Sequence, residues 1–304
     1  MSIMSNAVVL AGYGGPEVLV PGTVEVPDPG PGQVRVAVRY AGVGPTDLEI
    51  RAGHLAPVFP SPPGTALGFE VAGTVEAVGS GVTGTAVGDE VAAFLPGLGG
   101  YAGVVLADHW VARPSHVDPA DAAALPASGE AAARVLRQLG VREGETLLVL
   151  GATGSVGTLA TQLAVSRGAR VVAAVRESDL ALATRLGAVP VTYGDHLAEQ
   201  VRGAGLRVDA VLDAATGADL RTAVELAGGA ERVVTLSNHE AASLGVRLSG
   251  PDPAHADAAL AEAMAALASG GLRLRQHTVL PLARAAEAHD RLEAGERTKF
   301  LLHV

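Results

Sequence analysis

An uncharged apolar run that leads into a glycine-rich loop constrains the fold of this chain more than any other feature. The run Thr-Leu-Leu-Val-Leu at 146–150 is typical of a strand buried on both faces. Glycines in the loop would allow a tight turn, approach of backbone N–H groups to a pyrophosphate, and close helix packing. The alternative is an ordinary turn in a chain with 39 glycines. The predicted dinucleotide-binding residues are Gly151, Thr153, Gly154, Ser155, Val156 and Gly157.

Strand and helix patterns alternate from about residue 120 to about residue 270. Helical patterns at 158–166 and 179–186 follow the loop and alternate with apolar strands at 171–175 and 189–192. This rhythm predicts a doubly wound parallel sheet, in which ligands bind at the carboxyl ends of the strands. Tyr193 could line the adenosine end of such a site or be a half-buried residue at the sheet edge. The other residues expected at strand ends beside the cofactor are Ala214, Ala215, Thr216, Leu236, Ser237 and Asn238.

The preceding part of the chain consists of short alternating runs between turns rich in glycine and proline. Along 34–40 the valines and the tyrosine fall on one face and the arginines on the other, as in a half-buried strand. Several such runs predict a small barrel. The strand, helix and strand patterns after 275 have no place in a six-stranded nucleotide sheet. We therefore expect a barrel domain at 1–121, completed by 270–304, and a Rossmann domain at 122–269.

Composition excludes several classes of function. The chain has 304 residues, enough for two domains, of which 48% are hydrophobic and 18% charged, as in a globular protein. A formal net charge of -10 argues against nucleic acid as a partner, because phosphate binding needs a basic surface. The absence of cysteine excludes disulfides and thiolate metal sites. No signal-peptide pattern or membrane-spanning apolar run is present, so we expect a cytoplasmic protein without a membrane partner.

The residue after the second Rossmann strand indicates which dinucleotide is bound. That strand ends in Ala-Ala-Val at 173–175 and is followed by Arg176. NAD sites usually place a carboxylate here for the ribose 2′-hydroxyl, but the first acidic residue is Glu177. A guanidinium can instead pair with the 2′-phosphate of NADPH. The sequence therefore predicts NADPH, against the alternative that Arg176 is an ordinary surface arginine.

Short motifs follow one another in a specific order along nearly the whole chain. They are Gly-Gly-Pro-Glu-Val-Leu at 14–19, Pro-Gly-Gln-Val at 31–34, Ala-Gly-Val-Gly-Pro-Thr-Asp at 41–47, Gly-Phe-Glu-Val-Ala-Gly-Thr-Val at 68–75, Val-Gly-Asp-Glu-Val at 87–91, Gly-Gly-Tyr-Ala at 99–102, Ala-Ala-Ala-Leu-Pro at 122–126, the glycine loop, Leu-Gly-Ala at 186–188, the segment 209–213 and Ala-Ala-Glu-Ala-His at 285–289. This order resembles that of the quinone oxidoreductases, including the zeta-crystallin-like proteins, in the medium-chain dehydrogenase/reductase superfamily. The resemblance implies an α/β protein with a GroES-like β-barrel catalytic domain, a Rossmann domain and an active site between them.

Zinc alcohol dehydrogenases share this architecture, but this chain lacks the ligands that their metal sites need. Those enzymes use cysteine and histidine, and Phe69 stands where they place a ligand histidine in a Gly-His-Glu triplet. The span from Val91 to Tyr101 leaves no room for a structural zinc lobe. The resemblance therefore implies catalysis without a metal.

The resemblance also implies hydride transfer from NADPH to the β-carbon of an enone or to a quinone. Relatives usually have asparagine in place of Gly44, near Asp47, which either orients the site or makes a structural hydrogen bond. Many have Leu-Thr-Ala where this chain has Glu-Ala-Ala at 130–132, and Glu130 is either an acid facing the cleft or a solvated helix residue. Lys299 could approach the cofactor phosphates or be an ordinary solvated lysine.

Three functions remain open at this point. The first is a reductase of quinones or activated double bonds. The second is a tailoring enzyme of secondary metabolism, which reduces or cyclises one specific polyketide-like intermediate; the changes at Gly44 and Ala131 add weight to it. The third is an NADPH-binding sensor or structural protein with little catalysis. Relatives often dimerise by joining Rossmann edge strands, so the apolar strand at 246–248 is a candidate homodimer contact.

Overall fold

The computed structural model describes residues 2–215 and 217–304, which fold as two compact units. The first unit contains the residues up to Ala127 together with Ala256–Ala268 and Arg275–Val304. The second contains Ser128–His255 and Ser269–Leu274. Each unit has a hydrophobic core of its own.

Strands and helices are numbered here in chain order. The strands are β1 (Ile3–Leu10), β2 (Leu19–Val26), β3 (Val34–Val43), β4 (Glu70–Val78), β5 (Glu90–Phe94), β6 (Val104–Ala107), β7 (His109–Ala112), β8 (Thr146–Leu150), β9 (Arg170–Val175), β10 (Val189–Thr192), β11 (Ala210–Asp213), β12 (Val233–Thr235), β13 (Arg247–Leu248), β14 (His277–Pro281) and β15 (Lys299–His303). The helices are α1 (Pro45–Ala52), α2 (Pro119–Ala123), α3 (Pro126–Leu139), α4 (Ser155–Ser166), α5 (Leu180–Arg185), α6 (Leu197–Gly203), α7 (Leu220–Ala227), α8 (Ala256–Ala268) and α9 (Ala285–Glu293).

A mixed sheet forms the framework of the first unit. Its strand order is β14-β15-β3-β4-β5-β7, with β6 also paired to β3, while β1 and β2 form a separate two-stranded sheet. Alternate valines of β3 are buried, as the sequence periodicity predicts. Strand β15 runs antiparallel to β3, with Phe300 opposite Val43. The C-terminal segment therefore returns to the first unit, as predicted.

Helix α8 also belongs to the first unit, which differs from the predicted domain boundaries. The prediction places 256–268 in the Rossmann domain, because it sets the change of pattern at about residue 270. In the structure, Ala256 and Leu260 are part of the first core. The imidazole of His109 lies 2.9 Å from the Asp257 carboxylate, which ties the helix to β7. The division between the units after Ala127 also falls later than the predicted boundary at 121.

The second unit is built on a six-stranded parallel sheet. Its strand order is β10-β9-β8-β11-β12-β13. Successive strands are added on one side of β8 up to β10 and on its other side from β11, so the strand order reverses between β8 and β11. All five residues of β8 are buried, as its uncharged sequence predicts. In such sheets the carboxyl edge at the change of direction is where ligands bind.

The segment 101–111 contains β6 and most of β7, two short strands that pair with different partners. Strand β6 pairs with β3, whereas β7 pairs with β5. Asp108 lies between them and accepts a hydrogen bond from the side chain of Gln33 at 3.0 Å.

Candidate functional site

The glycine loop after β8 is shaped by close backbone contacts. Gly151 has φ of 79°, and a Cβ there would lie 2.6 Å from the carbonyl oxygen of Ala214. A Cβ at Gly157 would lie 2.0 Å from the carbonyl oxygen of Gly151. Real Cβ atoms do not approach backbone this closely, so both positions require glycine. The loop therefore forms a cradle without side chains at these two points.

Helix α4 begins at this loop with its first backbone donors uncovered. The residue before the helix, Gly154, has no side chain that could cap it, and the first turn holds no acidic residue. The first N–H groups of any helix lack intrahelical acceptors, and the helix dipole places positive charge there. Ser155 and Val156 are only partly buried. This arrangement suits a phosphate or another anion.

The loop after β9 lies next to the glycine loop and contains an arginine. The Thr153 hydroxyl donates to the Asp179 carboxylate at 2.9 Å, which joins the two loops. Three residues before Asp179, Arg176 follows the strand and is exposed. Within residues 2–215 and 217–304 its guanidinium has no hydrogen-bond or ion-pair partner. The predicted binding residues of these two loops therefore lie at one edge of the sheet.

The ends of β11 and β12 complete this edge. The backbone N–H of Ala214 donates to the Leu150 carbonyl at 2.9 Å, and that of Leu236 donates to the Asp213 carbonyl at 3.0 Å. The end of β11, which leads to Ala215, thus adjoins the end of β8, and the end of β12, which leads to Ser237, adjoins that of β11. Thr216 lies outside the described residues. Tyr193 follows β10 and is 39% exposed, so the structure leaves both of its predicted roles open.

Asp47, predicted as a candidate catalytic residue, lies in the first unit and accepts hydrogen bonds from two backbone N–H groups. It is 2% exposed, and its two carboxylate oxygens accept backbone N–H groups from Gly44 at 2.8 Å and Gly68 at 3.0 Å. Burial raises the pKa of Asp47 to about 7, although both hydrogen bonds and Lys299 act in the opposite direction. These contacts favour the structural alternative stated for Asp47.

Glu130, the second catalytic candidate, forms a buried ion pair on α3. It is 2% exposed, and Nε of Arg134 lies 2.9 Å from one of its oxygens and 3.2 Å from the other. Arg134 also donates to the Ser249 hydroxyl. Glu130 is therefore not a solvated helix residue, and its carboxylate is engaged by an arginine of the same helix.

Lys299 is neither solvated nor free to approach a phosphate. It is 6% exposed; its ammonium pairs with Glu70 and donates to the Val43 carbonyl at 3.1 Å. The other oxygen of Glu70 accepts the backbone N–H of Ala127 at 2.8 Å. The predicted cofactor role of Lys299 therefore has to be corrected: the residue fastens β15 to β3 and β4. Sequence reasoning missed Glu70 as its partner, because strand periodicity does not reveal a contact between distant segments.

Neither a metal-binding cluster nor a membrane-spanning helix occurs among the described residues. Among residues 2–215 and 217–304, no three histidine, aspartate or glutamate side chains are grouped so that they could hold a metal ion. Within the same residues, no helix is long and apolar enough to cross a membrane.

Known families match both units of the structure. The model of the alcohol dehydrogenase GroES-like domain matches residues 30–114, which lie in the first unit. The model described as zinc-binding dehydrogenase matches residues 155–251, which lie in the second.

Three proteins similar to this chain are named as oxidoreductases or reductases. A quinone oxidoreductase of Pseudomonas aeruginosa is 39% identical over 186 residues, and a 2-haloacrylate reductase of Burkholderia sp is 36% identical over 187 residues. Each alignment covers 60% of this chain and 56% of the relative, so the chain spans little more than half the length of these two proteins. The crystal structure of a probable oxidoreductase from Mycobacterium abscessus is 30% identical, covers 99% of both chains and has a TM-score of 0.81.

The two units together have the architecture of a medium-chain dehydrogenase/reductase, with a GroES-like domain and a Rossmann domain. The chain belongs to the quinone oxidoreductase family of this superfamily. Proteins of this family are oxidoreductases that use a nicotinamide cofactor. The glycine cradle and the uncovered start of α4 fit such a cofactor, because they offer backbone donors where side chains would obstruct a pyrophosphate.

Proposed function

We propose that the protein is an NADPH-dependent reductase that reduces a quinone or an activated carbon–carbon double bond without a metal. The observation that carries the proposal is the glycine cradle with Arg176 beside it. The cradle supplies backbone donors for a pyrophosphate. Arg176 adds an exposed guanidinium without a protein partner among the described residues. Together they match a dinucleotide with an additional phosphate on its ribose.

Each group at this edge has a distinct proposed role in holding the cofactor. The backbone N–H groups at 151–157 and of the first turn of α4 would bind the pyrophosphate. The Arg176 guanidinium would pair with the 2′-phosphate, since its planar donors match phosphate oxygens. The strand ends that would line the remainder of the cofactor are Ala214, Ala215, Leu236 and Ser237. Tyr193 remains a proposed contact at the adenosine end.

The bound cofactor supplies the hydride, and the protein binds and orients both reactants and excludes water. The names of the relatives support an electron-poor acceptor, since one is a quinone oxidoreductase and another a 2-haloacrylate reductase. Both names describe acceptors that take up a hydride and then a proton. A protein with no charged metal centre can reduce such acceptors because conjugation already stabilises the charge that develops.

The contacts of the two predicted catalytic residues do not favour either as the donor of the proton required after hydride transfer. Both oxygens of Asp47 hold backbone N–H groups, and both oxygens of Glu130 face Arg134. We therefore assign proton delivery to water or to the ribose hydroxyl of the cofactor. Asp47 and Glu130 keep structural roles in this proposal.

Steady-state oxidation of NADPH tests the proposed reaction. Turnover is expected with members of a panel of quinones and enones, and it should persist after dialysis against a chelator. Tight NADPH binding with no turnover on any acceptor would favour a sensor or structural protein instead. Stoichiometric zinc whose removal abolishes turnover would contradict the metal-free chemistry.

We also propose a homodimer that forms through β13. This strand lies at the edge of the parallel sheet, and Leu248 on it is 58% exposed. Joining two such edges would satisfy unpaired backbone groups and cover the apolar side chain. Light scattering should report twice the mass of the chain for the wild type and a lower mass for Leu248→Glu. A wild-type monomer at micromolar concentration would contradict the dimer.

A further inference from the structure

Strand β11 ends in an aspartate that is completely buried. Asp213 is 0% exposed; its Oδ1 accepts the backbone N–H of Ala215 at 3.1 Å. Its Oδ2 accepts the hydroxyl of Thr235 at 2.8 Å. Thr235 is the last residue of the neighbouring strand β12 and is also 0% exposed. One carboxylate therefore joins the ends of two adjacent strands.

The Thr235 hydroxyl extends this connection into the loop after β12. Its oxygen accepts the backbone N–H of Asn238 at 3.1 Å and that of Ser237 at 3.3 Å. A hydroxyl has two lone pairs and one proton. With both lone pairs engaged, it can interact with residue 213 only by donating its proton. Position 213 must therefore present an acceptor, which an ionised carboxylate always does.

The side chain of Asn238 ties the same loop back to the one after β11. Its Nδ2 donates to the Ala218 carbonyl at 3.0 Å, and its Oδ1 accepts the backbone N–H of Glu240 at 3.0 Å. Hydrogen bonds from side chains near the ends of both strands thus connect the two loops. The first of these loops adjoins the glycine cradle, where the Ala214 carbonyl lies against Gly151.

Keeping a carboxylate at this depth is costly for folding. Burial raises the pKa of Asp213 above its usual range, while hydrogen bonds from Thr235, Ala215 and Asn238 oppose this shift. Replacing buried charged groups with well-packed apolar ones is often neutral or stabilising. Stability alone therefore does not account for an aspartate at the end of β11.

We propose that Asp213 is a positioning residue, which acts through Thr235 to hold the β11 and β12 loops in the arrangement that receives the dinucleotide. It does not touch the cofactor itself. This proposal rests on the proposed function, because the loop residues that it holds are expected to line the cofactor, namely Ala214, Ala215, Leu236 and Ser237.

Three variants and one control test the proposal. In Asp213→Asn the side chain can satisfy either Ala215 or Thr235 but not both, because one of its two polar atoms is now a donor. Thr235→Val removes the hydroxyl at nearly constant size, whereas Thr235→Ser keeps it. Thr146→Val is the matched control, since Thr146 is buried in β8 and its hydroxyl has no hydrogen-bond partner among the described residues.

Calorimetric titration of NADPH should separate positioning from general destabilisation. Asp213→Asn and Thr235→Val should each weaken NADPH binding about tenfold to a hundredfold, the loss expected when a charge-assisted hydrogen bond is broken. Their combination should weaken it no more than the stronger single change, because both break one connection. Thr235→Ser should recover most of the affinity, and Thr146→Val should bind like the wild type. Melting temperatures, measured in parallel, identify any variant that fails to fold.

Hydrogen exchange at the amides of Ser237 and Asn238 gives a readout that does not depend on the cofactor. Faster exchange in Asp213→Asn together with weaker NADPH binding supports the proposal. Faster exchange with wild-type affinity overturns positioning, because the connection is then lost without consequence for the cofactor. Additive losses in the double variant also overturn it. If the wild type itself binds no dinucleotide, the proposed function fails first, and the positioning role fails with it.

Discussion

The two edges of the parallel sheet in the second unit are built from the same strands but use polar residues differently. At the amino edge, the Glu145 carboxylate pairs with Arg232 at 2.7 Å, and Asp209 accepts the backbone N–H of Thr146 at 2.9 Å. Arg232 also donates to the Leu139 carbonyl at 3.1 Å. Charged groups at this edge are satisfied by the protein itself.

The carboxyl edge differs at two of its polar groups, the start of α4 and Arg176. Helix α4 follows Gly154, which provides no side-chain cap, and Arg176 has no partner within the described residues. Asp213, a carboxylate buried at this edge, accepts hydrogen bonds from the Ala215 backbone and the Thr235 hydroxyl. We therefore propose that the amino edge contributes to stability, whereas the carboxyl edge receives the ligand. Substitutions at the two edges should therefore affect different properties.

The largest effect on binding is expected for Gly157→Ala. The added Cβ would lie 2.0 Å from the Gly151 carbonyl oxygen, so α4 has to move away from the loop. A displacement of about 1 Å in a binding site can cost on the order of a hundredfold, and we expect a loss of that size in NADPH affinity. Gly203→Ala is the control, because it lies on α6 and its Cβ would meet nothing within 4 Å. Equal NADPH affinities for the two variants would contradict the claim that cofactor binding depends on glycine at position 157.

A smaller effect, on stability alone, is expected for Glu145→Gln at the amino edge. The pairing with Arg232 lowers the pKa of Glu145 to about 2 from its ordinary 4.5, so the ionised form is stabilised in the folded state. The pair is partly exposed, and solvent screening reduces its contribution to about 1 kcal/mol at neutral pH. Denaturant unfolding should show this loss with NADPH affinity unchanged.

The pH dependence of the Glu145→Gln effect follows from the direction of that shift. Because the folded-state pKa is depressed, the stabilisation is present above pH 4.5 and is lost as the pH falls towards 2. The difference in unfolding free energy between wild type and variant should therefore narrow over this interval. A difference that is constant with pH, or a variant that binds NADPH more weakly, would break the distinction between the two edges.

Local sequence patterns predict the framework of both units and part of the site. The uncharged run of β8, the spacing of its following glycines and the residue after β9 all lie within short segments, so local physical rules are enough to interpret them. The same holds for the β14, α9 and β15 pattern, whose failure to fit a nucleotide sheet predicts its return to the first unit.

The parts that sequence patterns do not predict depend on contacts between distant segments. Lys299 pairs with Glu70, and neither position shows by itself that the other is its partner. Asp213 and Thr235 likewise look like the ordinary ends of two apolar strands. The charge at the last residue of β11 is a sequence signal that could have marked Asp213 as a candidate. Glu130 lies one helical turn from Arg134, so this pair was visible in the sequence as an i, i+4 spacing.

The most direct test of the account is calorimetric titration of NADPH and NADH into the wild type and Arg176→Ala. The claim is that the carboxyl edge binds the dinucleotide and that Arg176 recognises its 2′-phosphate. The wild type should bind NADPH more tightly than NADH. The variant should lose about tenfold to a hundredfold in NADPH affinity, equivalent to roughly 1.5–3 kcal/mol for a charge-assisted contact, with NADH affinity unchanged. Equal wild-type affinities, or an equal loss for both cofactors in the variant, would contradict this claim.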